Sequence, residues 1–223
     1  LAFGLPLAWA AWRRLPETLP APQPLPGLGA VLRAYRGLWA LPGFRAHCGV
    51  VAYSTGVFFA FVGGAPYVVV GGMGYSPVVF ALSFAAMSVL YAAGNWLAGR
   101  FSARWGIRRV LSLGTAVTTF GALLALAAML ALPAHILTFF VPMGVVALGN
   151  GVTQPAAIAG ALSVRPQLAG TASALVGALQ MGFGAVMTAL VGLVEHGAGI
   201  GTALCMAGAG VGTWLALRGA SRV

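Results

Sequence analysis

Two long apolar runs joined by an arginine-dense stretch constrain this chain more than any other feature of its sequence. The runs, residues 76–98 and 110–132, contain no charged residue. Each has about the ~20 residues that a helix needs to cross a ~30 Å hydrocarbon core. The stretch GNWLAGRFSARWGIRRVL, residues 94–111, carries four arginines: Arg100, Arg104, Arg108 and Arg109. Because short, positively charged loops stay on the cytoplasmic side, we predict a cytoplasmic turn between two membrane spans.

Composition supports an integral membrane protein. The chain is 60% hydrophobic and 6% charged, with a mean hydropathy of +0.96, which is more apolar surface than a soluble core could hide. The net charge of +10 flanks apolar spans, so we expect anionic lipid headgroups as partners and not nucleic acid. Cys48 and Cys205 have no close pairing or metal-ligand spacing and are interpreted as small apolar packing residues.

The chain divides into three parts. Residues 1–12 are apolar but too short to cross a bilayer, and we interpret them as the end of a truncated transmembrane helix. Residues 13–45 are predicted to form a cytoplasmic loop with a proline-rich beginning. Within this loop, residues 28–39 show the spacing of an amphipathic helix on the membrane surface, with a partly ordered turn as the alternative. Residues 46–223 are predicted to be an all-α polytopic half-domain with spans at residues 46–70, 76–98, 110–132, 136–158, 168–194 and 199–217.

The connections between the spans alternate in charge. Those at residues 71–75, 133–135 and 195–199 hold no arginine, whereas the other connections and the two ends of the chain hold all twelve. This pattern predicts a multi-pass topology with a cytoplasmic carboxyl terminus. With Arg13 and Arg14 inside, the opening segment descends from the outer face, and we expect further spans before Leu1.

The spans offer little chemistry for catalysis. The two acidic residues, Glu17 and Glu195, fall in predicted connections, and His47, His135 and His196 occupy separate turns or span ends, where none forms a catalytic pair with a carboxylate or a thiol. We therefore predict no enzyme active site, no metal site and no cofactor. Since membrane carboxylates usually couple transport to protons, a coupling acid would have to lie outside these residues.

Several polar and aromatic residues are candidates for a ligand-facing surface. Asn150 and Gln154 share a helix face, and Pro155 removes the hydrogen bond to the Gly151 carbonyl, which predicts an unwound turn beside a cavity. A kinked packing helix is the alternative. Further candidates share faces of their own spans, with ordinary core packing as the alternative; they are Ser54, Phe58 and Phe61, then Phe84, Met87, Tyr91 and Asn95, and finally Gln180.

Small residues predict close helix packing. A stripe at four-residue spacing runs along the span at residues 168–194, and a shorter one follows in the last span. Their members are Gly170, Ala174, Ala178 and Gly182, then Gly208 and Gly212.

Three landmarks together resemble the carboxyl-terminal half of a major facilitator superfamily transporter, and more closely its Bcr/CflA branch of drug:proton antiporters. Residues 15–19 (LPETL) resemble the branch's sequence where the sixth helix enters the central loop. Residues 99–109 (GRFSARWGIRR) resemble the G-x-x-x-D-R-x-G-x-R-R turn between helices eight and nine. Residues 169–177 (AGTASALVG) resemble the start of helix eleven. The resemblance covers essentially the whole chain.

The arginine turn matches the family's conformational turn with one departure. The matching positions are Gly99, Arg104, Gly106, Arg108 and Arg109. Ala103 occupies the position of the family's acid, so the role of that acid in locking the cytoplasmic helix ends does not carry over. The alternative is that these arginines only set topology.

The resemblance implies that the opening segment is helix six and that the spans are helices seven to twelve of a bacterial inner-membrane transporter. It implies alternating access, an amino-terminal half as partner, and proton-coupling acids in that half. It also implies a substrate site between the halves, lined by helices seven and ten with parts of eight and eleven. Phe58, Phe61, Asn150, Gln154 and Gln180 are expected to face that site.

We therefore expect a transporter that exports small, amphiphilic, drug-like molecules. Two alternatives stay open. One is a carrier of the same fold for a metabolite or nutrient, and the other is a truncated, non-transporting membrane remnant or subunit.

Overall fold

The computed structural model describes residues 4–14 and 27–220, and within them every regular element is helical. The elements are α1 (Gly4–Arg14), α2 (Leu28–Trp39), α3 (Pro42–Pro66) with a π-helical turn at Tyr67–Gly72, α4 (Pro77–Trp105), α5 (Ile107–Ala131), α6 (Ile136–Ser163), a 3₁₀ turn at Pro166–Leu168, α7 (Ala169–Val194) and α8 (Ile200–Ala220). The LPETL motif with Glu17, and Arg222 near the end, lie outside the described residues.

The chain consists of two compact units, Leu1–Leu32 and Arg33–Val223. In the first, α1 places the Arg13 guanidinium 4.5 Å from the centroid of the Trp9 ring, a cation–π contact typical of an interfacial helix end. Helix α2 occupies the residues that were predicted to form the amphipathic helix, so the helix itself is confirmed. Its location on a membrane surface stays a prediction.

Six helices of the second unit are long and apolar enough to cross a membrane, and this confirms the predicted number of spans. They cover Pro42–Gly72, Pro77–Trp105, Ile107–Ala131, Ile136–Ser163, Pro166–Val194 and Ile200–Gly219. Helices α3 and α6 are central: α3 packs against α6, α7 and α8, and α6 packs against α4 and α5. Helices α4 and α7 keep most of their surface exposed.

The predicted arginine turn is much shorter in the structure. Gly99 and Arg104 belong to α4, and Arg108 and Arg109 belong to the first turn of α5. Gly106 alone joins the two helices, with a φ of +78° that favours glycine. The prediction of a longer turn is wrong. Arginine is a good helix former, and its side chain can reach the membrane interface from a helix that continues past the hydrocarbon core.

The glycines at the tightest helix contacts are mostly not the ones in the predicted small-residue stripes. Gly94 of α4 and Gly151 of α6 face each other, since a Cβ on Gly94 would lie 3.0 Å from the Gly151 Cα. By contrast, a Cβ on Gly170, Gly182 or Gly208 would meet nothing within 4 Å.

The packed face of α7 is offset from its small-residue stripe. It consists of Ala172, Val176, Gly184, Met187 and Val191, whereas Ala174 and Ala178 are exposed. The α7 stripe and Gly208 are therefore not packing sites in this bundle. In α8 the packing prediction is confirmed only for Gly212, which lies against the Tyr53 ring. Small residues on an apolar helix permit close approach but do not say which face receives it.

A buried carboxylate organises the connection between α7 and α8. Glu195 Oε1 accepts hydrogen bonds from the amides of Gly197 (2.8 Å) and Gly199 (3.0 Å). Its Oε2 accepts from the Thr202 amide and hydroxyl, both at 2.7 Å. Burial raises the pKa of Glu195, but the hydrogen bonds from Thr202, Gly199 and Gly197 outweigh it, and the net pKa lies below its ordinary value. The carboxylate thus caps the first turn of α8 in its charged form.

Glu195 should make stability depend on pH in the acid range. Because its folded-state pKa is lowered, its contribution is complete above the unfolded pKa of about 4.3 and is lost as the pH falls through the folded pKa. We expect the wild-type melting temperature in detergent to fall with acid, and Glu195→Gln to be less stable near neutrality and to approach the wild type as the pH falls. Parallel curves for the two proteins across the acid range would contradict this role.

Candidate functional site

A cavity of about 430 Å³ lies between α3, α4, α6 and α7. Its lining combines aromatic and methionine side chains with a few polar ones. The lining residues are Thr55, Phe58, Phe59, Phe84, Met87, Ser88, Tyr91, Met143, Val146, Ala147, Asn150, Gln154, Gln180 and Met181. Cavities of this size and mostly apolar character, with a small number of placed polar groups, are typical of small-molecule sites.

The structure brings five of the seven predicted site residues together in this cavity: Phe58, Tyr91, Asn150, Gln154 and Gln180. They come from four separate helices, so their convergence follows from the packing of the bundle. Asn95 lies outside the lining, where its side-chain amide donates to the Tyr91 carbonyl at 3.0 Å. Phe61 also lies outside it.

Phe61 belongs to the core behind the cavity. It has no exposed surface and packs on three other rings, those of Phe84, Phe139 and Phe140, at centroid distances of 6.2, 5.6 and 5.7 Å. The predicted α3 face of Ser54, Phe58 and Phe61 is therefore rotated in the structure. The face that reaches the cavity carries Thr55, Phe58 and Phe59.

Asn150 ties three helices together. Its Nδ2 donates to the Ser54 carbonyl at 2.9 Å, and its Oδ1 accepts from the Thr118 hydroxyl at 3.3 Å. A buried amide that bonds in this way holds α3, α5 and α6 at a fixed separation beside the cavity. Asn150 therefore lines the cavity and also holds the three helices together.

Gln154 is only half satisfied. Its Nε2 donates to the Thr55 hydroxyl at 2.7 Å, while its Oε1 is buried and has no hydrogen-bond partner among the described residues. A buried carbonyl oxygen without a donor costs about 1–3 kcal/mol relative to a bonded one. Beside a cavity, such a side chain is a natural place for a ligand or an entering water molecule to add a hydrogen bond.

The expected unwinding near Pro155 is wrong. Helix α6 is continuous from Ile136 to Ser163 and includes Pro142 and Pro155. The turn is surrounded by protein: Gly151 packs against the backbone of α4, and Asn150 and Gln154 bond to α3. Enclosure by neighbouring helices explains how the freed Gly151 carbonyl is tolerated without a break.

The cavity is lined by apolar and uncharged polar side chains. No acidic, basic or histidine side chain lines it among the described residues. In that same part of the chain, no group of three His, Cys, Asp or Glu side chains is arranged to hold a metal ion. The lining offers aromatic and thioether surface, amide groups and hydroxyls, which favour a bulky and partly apolar molecule.

Three curated bacterial proteins are similar to this chain. An uncharacterized MFS-type transporter of Bacillus subtilis, YdgK, is 27% identical over 82% of the chain and 45% of its own length. A chloramphenicol resistance protein of Pseudomonas aeruginosa is 32% identical over 74% of the chain and 39% of its own length. A bicyclomycin resistance protein homolog of Haemophilus influenzae is 30% identical over 84% of the chain and 47% of its own length. No family model matches the chain.

The chain spans less than half the length of each of these relatives. Together with the helical architecture and the six candidate spans, the similarities confirm the predicted fold class, an all-α six-helix half of the major facilitator type. The protein is a multi-pass membrane protein.

Proposed function

We propose that this chain is the carboxyl-terminal half of a proton-coupled drug efflux transporter of the Bcr/CflA type in the bacterial inner membrane. In this proposal, the cavity between α3, α4, α6 and α7 is this half's share of a substrate site. An amino-terminal half closes its open side, and rocking of the two halves exposes the site to each face of the membrane in turn.

The observation that carries the proposal is the convergence of five site residues on one apolar cavity in a bundle of six candidate spans. Two of the similar proteins are named for resistance to chloramphenicol and to bicyclomycin, and this supports drugs as the substrate class. The aromatic and methionine lining agrees with that class better than with sugars, which need many fixed donors and acceptors.

Proton coupling and orientation form part of the proposal. No carboxylate lines the cavity among the described residues, so the coupling acid would be supplied by the other half. The arginine-bearing ends of the helices would face the cytoplasm, with the carboxyl terminus on the same side. Gly106, as the single residue between α4 and α5, would act as the pivot of the conformational turn.

Drug accumulation in cells tests the proposal. Cells that express the full-length protein should accumulate less chloramphenicol, bicyclomycin or ethidium than cells with the empty vector. Dissipating the proton gradient should remove the difference. Loss of growth on a nutrient upon gene deletion, without any change in drug sensitivity, would instead identify a nutrient carrier. No difference in either assay would favour the non-transporting remnant.

Gln154→Leu tests the site within that assay. We expect efflux to fall by roughly fivefold or more at unchanged membrane abundance, since the variant removes the amide that faces the cavity and leaves the Thr55 hydroxyl unpaired. Gln167→Leu, the same change at an exposed position in the turn before α7, is the matched control and should transport normally. Reduced abundance of Gln154→Leu without a loss of transport per molecule would assign Gln154 to packing alone.

A further inference from the structure

A second cavity, of about 480 Å³, lies at the arginine-bearing end of the bundle, between α3, α5, α6 and α8. It is separate from the first cavity and shares no lining residue with it. Two arginines from different helices line it: Arg108, in the first turn of α5, and Arg218, in the last turn of α8. Residues that are distant in sequence therefore place two permanent positive charges around one concave space.

The electrostatics of this cavity favour an anion. No acidic side chain lines it among the described residues. The buried carboxylate of Glu195 follows the carboxyl-terminal end of α7. Arg165 and the cavity lie at the opposite end of the bundle, where α6 ends and α7 begins. The amino terminus of α5 adds the positive end of a helix dipole next to Arg108.

The remaining lining residues supply both polar and apolar surface. Ser112, Ser163 and His47 contribute polar groups, and Leu111, Leu217 and Trp214 contribute apolar ones. His47 Nδ1 donates to the Gly43 carbonyl at 2.7 Å, which fixes the ring. A basic pocket with an apolar wall at a membrane interface matches the headgroup and glycerol region of an anionic phospholipid.

We propose that this cavity binds a phosphate group, with Arg108 and Arg218 as its charged ligands. A guanidinium group carries five N–H donors in a planar fork, a geometry that suits two parallel hydrogen bonds to a phosphate. In a membrane every phospholipid carries a phosphate, but an anionic one such as phosphatidylglycerol lacks a cationic headgroup that two arginines would repel, and its acyl chains extend along the apolar lining residues. A soluble phosphate ester offers the same chemistry. The site does not depend on the proposed transport function.

Binding of lipid and of free phosphate to the purified full-length protein distinguishes the two sources. The protein is held in zwitterionic detergent, and its melting temperature is measured with phosphatidylglycerol, with phosphatidylcholine or with inorganic phosphate. We expect phosphatidylglycerol to raise the melting temperature more than phosphatidylcholine does. A rise with phosphatidylglycerol alone assigns the site to a lipid headgroup, and an equal rise with inorganic phosphate assigns it to a soluble anion.

Two charge-matched variants locate the effect. Arg108→Gln combined with Arg218→Gln should weaken the binding of the stabilising anion by roughly tenfold or more. Arg100→Gln combined with Arg165→Gln removes the same charge from outside the cavity and should leave the binding unchanged. Equal weakening in both variants would show general attraction to the basic surface and overturn the proposal. The proposal would also be overturned if neither lipid nor phosphate stabilised the wild type.

A cavity-filling variant tests the space itself. Ser112→Trp keeps every charge but places an indole in the lining, and it should abolish the stabilisation by the anion. Its own melting temperature in detergent without added lipid reports whether it folds. A folded Ser112→Trp variant that binds the anion as tightly as the wild type would place the site elsewhere.

Discussion

Replacing Gly151 with leucine should remove most of the folded protein from the membrane. A Cβ on Gly151 would collide with the Tyr91 carbonyl oxygen and lie 3.0 Å from both the Gly94 Cα and the Asn95 nitrogen. These are backbone atoms of α4, so no side chain can rotate away, and the two helices must separate. Overpacking of a well-packed interior costs about 1–3 kcal/mol, and more where the obstructing atoms are backbone, which is a large fraction of the total stability of a typical domain.

The measurement is the amount of monodisperse protein after mild detergent extraction, compared with the same substitution at Gly208. Gly208 also lies within a membrane helix, but a Cβ there meets nothing within 4 Å. We expect Gly208→Leu to be recovered at the wild-type level. Similar recovery of Gly151→Leu and the wild type would mean that α4 and α6 are not in contact at this glycine.

Replacing Phe61 with alanine should destabilise the protein by about 3–5 kcal/mol, the usual cost of removing a buried phenylalanine. The loss comes from the dispersion contacts of a fully buried ring with three aromatic neighbours, and lipid cannot refill the space that is left. Thermal unfolding in detergent, followed by the loss of soluble monomer, measures the effect.

Phe58→Ala is the matched control for this prediction. Phe58 lies one turn earlier on α3, is 36% exposed and lines the cavity. We expect Phe58→Ala to unfold near the wild-type temperature but to export drugs less well. Equal destabilisation by the two variants would show that Phe58 is also core, and impaired export by Phe61→Ala at full stability would return Phe61 to the substrate site.

The number of spans could be predicted from the sequence because hydropathy over about 20 residues does not depend on tertiary contacts. The positions at which the helices end on the arginine-bearing side could not be predicted in this way. α4 continues to Trp105 through Arg100 and Arg104, since the hydrocarbon boundary limits the apolar run but not the helix. The π-helical turn at Tyr67–Gly72 was also missed, as nothing in its apolar sequence distinguishes it from the end of α3.

Three of the four amide side chains predicted to face the site line the cavity, and Asn95 does not, because its amide bonds to the Tyr91 carbonyl of its own helix. Asn150, Gln154 and Gln180 are polar residues in apolar spans and all line the cavity. On α3 almost every side chain is apolar, so the inward and cavity faces look alike in sequence. The predicted cavity face of α3 is rotated by about 100°, or one residue, from the face that lines the cavity. The prediction therefore included Phe61 and omitted Thr55 and Phe59. Thr55 was the available signal, as a polar residue one turn before Phe59.

Substrate protection of a single cysteine tests the central claim, that this cavity is part of the substrate site. Cys48 and Cys205 are first replaced with alanine. Ser88→Cys then places a thiol in the cavity lining, and Ser83→Cys places one on the same helix outside it. A membrane-permeant maleimide is added with and without the drug that gives the largest accumulation difference. We expect slower labelling of Ser88→Cys with the drug and unchanged labelling of Ser83→Cys. Unchanged labelling at both positions, or equal slowing at both, would contradict it.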